Sequence, residues 1–307
     1  MKDVSIIIPT YNRLWSLPKA LESCRETGLD IEIIVVDDGS NDGTWEWLSK
    51  QSGVISIFQS NAGKDWAVNR ALATATGRYV RFLDSDDWFL PSSTDKLFEE
   101  AEISQADVVC AGYQVSARDE IIREISWIDC DDFLAQQLGE CDSSHYSAYL
   151  FKLEFIADIP HRQEYGALDD RKFIIEVAMK FPRLSHLKTF TLVHHFHDQE
   201  RLQNPSGLQE TADHLARFKI YRNAFARLAE IGELTQRRKN AACNILWHMA
   251  HWVAKTHIAE GENIYRWVYE LNPDFVPDEK SFIYRLYRLL GFKRAEKILH
   301  IRRLLKL

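Results

Sequence analysis

Four short apolar runs, Val4–Ile8, Ile31–Val36, Val54–Phe58 and Tyr79–Leu83, constrain this chain more than any other feature. They are rich in β-branched residues and mostly continuous. A strand with one wet face alternates polar and apolar, whereas a continuous apolar run suits a strand covered on both faces of a parallel sheet. Helical patterns fall between the runs, at about Leu14–Glu26, Asn41–Lys50 and Lys64–Thr76. Asn41 or Asp42 is placed to cap the second helix, and Gly77 sits where the third would stop. The order β-α-β-α-β-α-β predicts an α/β domain with right-handed crossovers.

A further helix–strand pair is expected near Thr94–Ser104 and Asp107–Val115. From Ile121 to Val193 the pattern is mixed, with a helix near Asp170–Phe181 and a strand near Lys188–Val193. From about Leu208 onward only helical periodicity remains. The expected division is an α/β domain over 1–205 and a helical region over 206–307. At 46% hydrophobic residues, the 307-residue chain is long enough to bury a sizeable core.

Charge and cysteine content exclude several function classes. A net charge of −7 argues against general nucleic-acid binding, which needs a basic surplus. The five cysteines are scattered without CxxC spacing, as expected of reduced thiols and not of a zinc site or disulfide frame. No apolar stretch approaches the ~20 residues of a membrane span, and the first residues lack the order of a signal peptide. The expectation is a cytoplasmic protein, attached at most to the inner face of the cell membrane.

Two acidic clusters follow predicted strands: Asp37-Asp38-Gly39-Ser40 and Asp84-Ser85-Asp86-Asp87. Ligands of open α/β sheets bind beyond those strand ends. The first cluster alone reads as an ordinary turn and helix cap. The second sets three aspartates within four residues, which repel one another unless a cation or solvent relieves them. Hard oxygen ligands suit Mg²⁺ or Mn²⁺; the plain alternative is a solvated turn in which Asp87 caps the next helix.

The run from Val4 to Asn12, the run Ile33–Ser40, then Asn61-Ala62-Gly63, then Ala75–Asp87 occur in that order. Together they closely resemble the family 2 glycosyltransferases of GT-A fold, strongly over about the first 115 residues and weakly to about 205. The resemblance implies a Rossmann-like α/β domain with a mostly parallel mixed sheet flanked by helices. It also implies a nucleotide-binding part over 1–115 and an acceptor-binding part over 116–205, before the C-terminal helical appendage.

By that likeness, Pro9, Thr10, Tyr11 and Asn12 match the loop that holds the nucleotide, and Asp38 matches the acceptor of a base N–H. Asp84-Ser85-Asp86 looks like the DXD element, with Asp84 facing the ribose or metal and Asp86 a direct ligand of Mn²⁺ or Mg²⁺. The cation bridges the donor diphosphate and offsets the charge that develops as the sugar–phosphate bond breaks. Many relatives carry Ala-Arg-Asn where this chain has Ala67-Val68-Asn69. Lys64 or Arg70, a helical turn to either side, would replace the missing cation, and Lys64 is the preferred candidate.

Family members place an acidic pair at a helix start late in the domain; Asp169-Asp170 match it, with Asp170 the implied base and Asp169 either a cap of that helix or a contact to the sugar or acceptor. His197, in His197-Asp198-Gln199-Glu200-Arg201, resembles the loop that supplies a further metal ligand. His194 and His195 read as packing residues. Asp87 either caps a helix or touches the donor sugar, and Trp66 and Trp88 are sugar platforms or core residues.

The resemblance implies an inverting hexosyltransferase that takes a nucleotide-sugar, a UDP-sugar by preference, and extends a polysaccharide or lipid-linked acceptor at the cell surface. A nucleotidyltransferase would show a Gly-rich basic loop after the first strand, which Pro9–Asn12 is not. A non-catalytic scaffold is the other alternative, opposed by the intact Asp84, Asp86 and Asp170. The last stretch, Lys280–Leu307, holds nine Lys and Arg against one acid, Glu296, with leucines at helical spacing. Such helices either meet anionic lipid heads or pack as a bundle on the catalytic domain or another subunit.

Overall fold

The computed structural model describes residues 2–118, 120–197, 208–277 and 282–304. The chain divides into two compact units, Met1–Asp131 with Ser143–Glu200, and Asp132–Asp142 with Arg201–Leu307. In the first unit, β1 (Val4–Thr10), α1 (Leu17–Cys24), β2 (Ile31–Asp37), α2 (Thr44–Leu48), β3 (Ile55–Phe58), α3 (Lys64–Leu72) and β4 (Tyr79–Phe82) alternate as predicted. Then come β5 (Trp88–Phe89), α4 (Ser93–Ser104), β6 (Val108–Ala117) and β7 (Glu120–Ile125). After α5 (Phe133–Leu138), which belongs to the second unit, β8 (Leu150–Lys152), α6 (Leu153–Ile156), α7 (Asp169–Ala178) and β9 (Leu184–Phe196) complete it.

The sheet runs β3-β2-β1-β4-β8-β6-β9-β5, with β7 on β6. Strands β3, β2, β1 and β4 are mutually parallel, and β6 pairs parallel with β9. The antiparallel β8 joins the two halves, so the sheet is mixed but mostly parallel, as the motifs implied. Alternation along β1 explains the layering. Val4, Ile6 and Ile8 pack in one cluster with Leu17 and Leu21 of α1 and Leu97 and Ala101 of α4. Helix α3, with Ala67, Val68 and Ala71 buried, packs against β1 and β2 and is absent from that cluster, as expected of a helix on the opposite face.

The early helices are shorter than their sequence patterns, because side chains capture the flanking backbone. Asp42 accepts from Leu14 N and, through its other oxygen, from Thr44 N and Oγ1. The second helix therefore begins at Thr44 after Gly43, and neither Asn41 nor Asp42 is the cap residue. The third stops at Leu72, so Gly77 is not its terminator. Gly77 is instead needed for close approach, since a Cβ there would lie 2.5 Å from Ser5 N. Its N–H donates to Ser5 Oγ, which in turn donates to the buried Glu32. Strand β3 is an edge with Ile55 and Phe58 exposed, not a strand covered on both faces.

The fully buried Arg81 of β4 has no carboxylate partner among the described residues. Its guanidinium donates to Ser93 Oγ, Thr94 Oγ1 and the carbonyls of Ser147 and Thr191, and lies 3.5 Å over the Phe89 ring. Burial lowers its pKa to about 9, still above neutrality. This one side chain ties α4 and β9 to the strand that leads into the second acidic cluster.

The second unit contains α8 (Leu208–Glu230), α9 (Gln236–Ala254), α10 (Ile258–Leu271), α11 (Phe282–Leu290) and α12 (Phe292–Leu304). Residues 132–142, expected within the α/β domain, pack here because α5 buries its Phe133, Leu134 and Leu138 and packs against α9. Arg238 fixes that segment through Asp132, 2.9 Å away. Helices α9 and α10 approach closely enough that a Cβ on Gly261 would lie 2.6 Å from Ala250 O. The expected boundary at 205 falls outside the described residues. No described helix is long and apolar enough to cross a membrane.

Candidate active site

The loops beyond β1, β2 and β4 bind each other. Pro9 and Thr10 end β1 and are buried, while Tyr11 is exposed beyond them. Asn12 adopts φ 51, a left-handed conformation Asn tolerates, and this lets it bridge to the neighbouring turn. Its N–H donates to Ser40 Oγ, and its Oδ1 accepts from Asn41 N. Asp38 anchors the loop before α3: its two oxygens accept from Gln59 Nε2, Ala62 N and Gly63 N, each at 2.8 Å. A carboxylate offers about four lone-pair sites, so roughly one remains for a ligand. Thr10 Oγ1 and Asp37 Oδ2, on residues paired across β1 and β2, are buried without a hydrogen-bond partner.

Lys64, the first residue of α3, bridges two distant parts of the chain. Its Nζ lies 2.8 Å from Asp84 Oδ1 and 2.9 Å from Asp170 Oδ2. Burial disfavours the charge on Lys64, yet Asp170 and Asp84 outweigh it and hold the ammonium well above its ordinary pKa. Burial likewise opposes the Asp84 carboxylate, but Lys64 and then His145 hold it down at about 2. Burial prevails over Lys64 at Asp170 and raises its pKa. The two carboxyls thus flank one cation with their proton affinities pushed apart. Arg70 is elsewhere, with Nη1 donating to Phe58 O.

Asp86 meets His197 Nε2 at 3.0 Å and Arg13 Nε at 3.5 Å. Asp86 and His197 thus bring a carboxylate and an imidazole together, and both groups could ligate one divalent cation. Asp87 caps no helix, since α4 starts only at Ser93. It is buried, accepting from His195 N through Oδ1, with Oδ2 3.0 Å from His194 Nδ1. Burial, with the like charges of Asp84 and Asp86, raises it to about 6 against the pull of His194. Asp87, His145 and His194 also place ligand atoms within 4.8 Å of one another, as do Asp65, His161 and Asp169.

Asp169 differs from expectation. It is the first residue of α7, its side chain makes no cap bond to the helix, and it is almost wholly buried. One oxygen binds His161 Nδ1 and the other accepts from Arg162 N. His161 Nε2 in turn lies 2.9 Å from the Tyr146 hydroxyl, and its ring stacks on Phe173. Asn69 holds the His161 backbone from both sides, donating to its carbonyl and accepting from its N–H. Asp65 is raised to about 7 by burial and by Asp169 beside it.

Against known proteins, the model of glycosyl transferase family 2 matches residues 5–149. Residues 5–149, just under half of the chain, thus resemble glycosyl transferase family 2. Escherichia coli WfaP, described as a UDP-Glc:alpha-D-GlcNAc-diphosphoundecaprenol beta-1,3-glucosyltransferase, is 38% identical over 117 residues, 37% of this chain and 45% of that protein. The matched segments of the first curated relatives span only 16% to 35% of those proteins' lengths. Among solved structures, Staphylococcus aureus TarS 1–349 in complex with UDP-GlcNAc superposes with TM-score 0.60 at 15% identity, over 98% of this chain and 91% of that one. The Pyrobaculum calidifontis mannosyltransferase PcManGT, with GDP-Man and Mn²⁺, gives TM-score 0.51 at 16% identity, over 98% and 89%. At such identities these two show a shared fold.

Within the first unit, the fold brings Lys64, Asp84 and Asp170 together, and Asp86 with His197. It does not present Trp88 as a free platform, because Lys19 Nζ covers the ring at 3.2 Å and His195 packs 5.2 Å away. Trp66 stays exposed on α3. Trp15, unmarked in the sequence, is the ring against His197, at 4.7 Å. The His194 side chain, read as packing, is instead paired with Asp87. Arg13, Asp65, Tyr146, His145 and His161 were not singled out either; only Arg13, directly after Pro9–Asn12, had a positional signal. Asp198 to Arg201 lie outside the described residues.

Proposed function

We propose that this protein transfers a sugar, with inversion, from a UDP-sugar to the hydroxyl of a lipid-linked or polysaccharide acceptor, with Asp170 as the base. The observation that carries this reading is the Lys64 bridge, which joins Asp170 to Asp84 although 86 residues separate them in sequence. Of the acidic pair, Asp169 is committed to His161 and Arg162, whereas Asp170 keeps about one-fifth of its side chain exposed. Of the two, Asp170 would accept the proton from an incoming hydroxyl. Its raised pKa makes it a stronger base than an ordinary carboxylate.

Asp86 and His197 would hold the divalent cation, which supplies charge neutralisation to the leaving diphosphate. Lys64 would place its ammonium beside that diphosphate, and Tyr11, Thr10 and Asp38 would line the nucleotide pocket together with Pro9 and Asn12. The orphaned Thr10 Oγ1 and Asp37 Oδ2 mark polar positions that a ligand could satisfy. A UDP-sugar is favoured because WfaP takes UDP-Glc by its description and TarS was solved with UDP-GlcNAc. The same WfaP description supports a lipid-linked acceptor, and the Mn²⁺ in the PcManGT complex supports that ion as the one to test first.

The test is UDP release from a panel of UDP-sugars with Mn²⁺, on the wild type and Asp170→Asn. The variant should keep its melting temperature and donor binding and lose turnover by about 10²–10⁴-fold. Activity within tenfold of wild type would remove Asp170 from the role.

A further inference from the structure

Helices α11 and α12 carry a surface whose charge the sequence understates. Between Phe282 and Arg303 there are seven Lys or Arg residues and one acid, Glu296. All seven cations are exposed, whereas Glu296 is completely buried. It is held by His251 Nδ1 at 2.6 Å, by the Tyr287 hydroxyl and by Arg303 Nη2 at 2.8 Å. The single negative charge of the segment is therefore spent inside the unit, and none reaches its outer face.

Apolar groups share that face. Of the residues of α11 only Tyr287 is buried, leaving Phe282 and Leu289 exposed, at 63% and 82%. Ile298 and Ile301 of α12 are more than half exposed or at half. Phe282, Leu286 and Leu289 recur at i, i+4, i+7, as do Arg294, Ile298 and Ile301, so each helix mixes cations with an apolar stripe. A soluble surface gains nothing from such exposure, and water penalises it. Arg285, Arg294 and Lys297 pair with no carboxylate among the described residues, while Lys293 reaches Glu262 at 3.6 Å.

We propose that the outer face of α11 and α12 docks on an anionic lipid bilayer, with Phe282, Leu289, Ile298 and Ile301 entering the headgroup–acyl boundary and the cations meeting lipid phosphates. The chemistry is that of an interfacial helix: cationic on its polar side, with bulky apolar groups beside it. Charge selects this occupant over a second copy of the chain, because two such faces would bring cations together without a compensating acid. The proposal is independent of the transfer reaction and needs no turnover to test.

Flotation of the full chain with phosphatidylcholine vesicles, with and without phosphatidylglycerol, reads it directly. The wild type should float only with the anionic vesicles and be released by high salt. Each surface cation lost should weaken partitioning about fivefold, so Arg285→Glu/Arg294→Glu/Lys297→Glu should weaken it by about a hundredfold or more. Leu289→Ser/Ile298→Ser should weaken it separately, with unchanged helical circular dichroism in both variants. The milder Arg294→Gln/Lys297→Gln gives the same reading should the charge reversals disturb folding. Absence of flotation, equal flotation with neutral vesicles, or wild-type flotation of the charge variants would overturn the proposal. So would light scattering showing a dimer that these substitutions dissociate.

Discussion

Replacing Lys64 by Met keeps the bulk of the side chain and removes only its charge. Asp84 Oδ1 and Asp170 Oδ2, each within 2.9 Å of Nζ, lie no more than about 6 Å apart. At an effective dielectric of about 20 their unscreened repulsion is about 3 kcal/mol. Each side chain keeps about a fifth of its surface in water, which trims the loss to about 2 kcal/mol. For a unit of this size that is a melting temperature lower by about 4–8 °C.

The pH dependence has a definite sign. Asp170 already has a raised folded pKa, and losing Lys64 raises it further. A folded state that holds the proton more tightly than the unfolded one loses stability as pH rises through the raised value. The deficit should therefore be greatest above that value and smallest near and below the ordinary ~4 of a free carboxyl. Differential scanning fluorimetry of Lys64→Met and Lys64→Arg from pH 4 to 8 measures this, with Arg expected to retain most of the stability. An unchanged melting temperature for Met at pH 8, or a deficit that grows on acidification, would refute the reasoning.

Gly77→Ala should cost about 2–3 kcal/mol in urea unfolding, because the new Cβ meets Ser5 backbone and the Tyr79 carbonyl with no room to retreat. Asp86→Ala or His197→Ala should weaken Mn²⁺ binding in calorimetry by at least tenfold while leaving the fold intact; undiminished binding in both would place the cation elsewhere, with Asp87, His145 and His194 the next group to test. Burial raises the proton affinity of Glu296, but the hydrogen bonds from His251 and Tyr287, with Arg303, prevail and lower its pKa. Its stabilisation is thus present above the ordinary carboxylate value of about 4.3 and lost as pH falls through the lower folded value. Glu296→Ala should destabilise the protein by about 2–3 kcal/mol at pH 7 in circular-dichroism melts, and by less at pH 3.

The alternation of apolar runs and helical periods determined the order of elements as far as β4, since each run could be buried only as a strand between crossovers. Acids after apolar runs likewise left a local signature at Asp84 and Asp86, whereas Asp170 and Lys64 were candidates only through the family resemblance. Periodicity said nothing of contacts made by side chains far apart in the chain. It left the helix ends too long where Asp42 captures the backbone, and made Asp169 a cap when it is the buried partner of His161. It also assigned residues 132–142 to the α/β domain, although α5 has an apolar surface that fits α9. His161, Tyr146 and His145 come from the mixed-pattern stretch, where position along the chain carries no information about depth. Which carboxylate of the acidic pair is buried and which keeps part of its side chain exposed, and that Glu296 is spent inside with Arg303 while the other six cations face out, were decided only by tertiary packing. Burial and ion pairing act through space, and a linear pattern records neither.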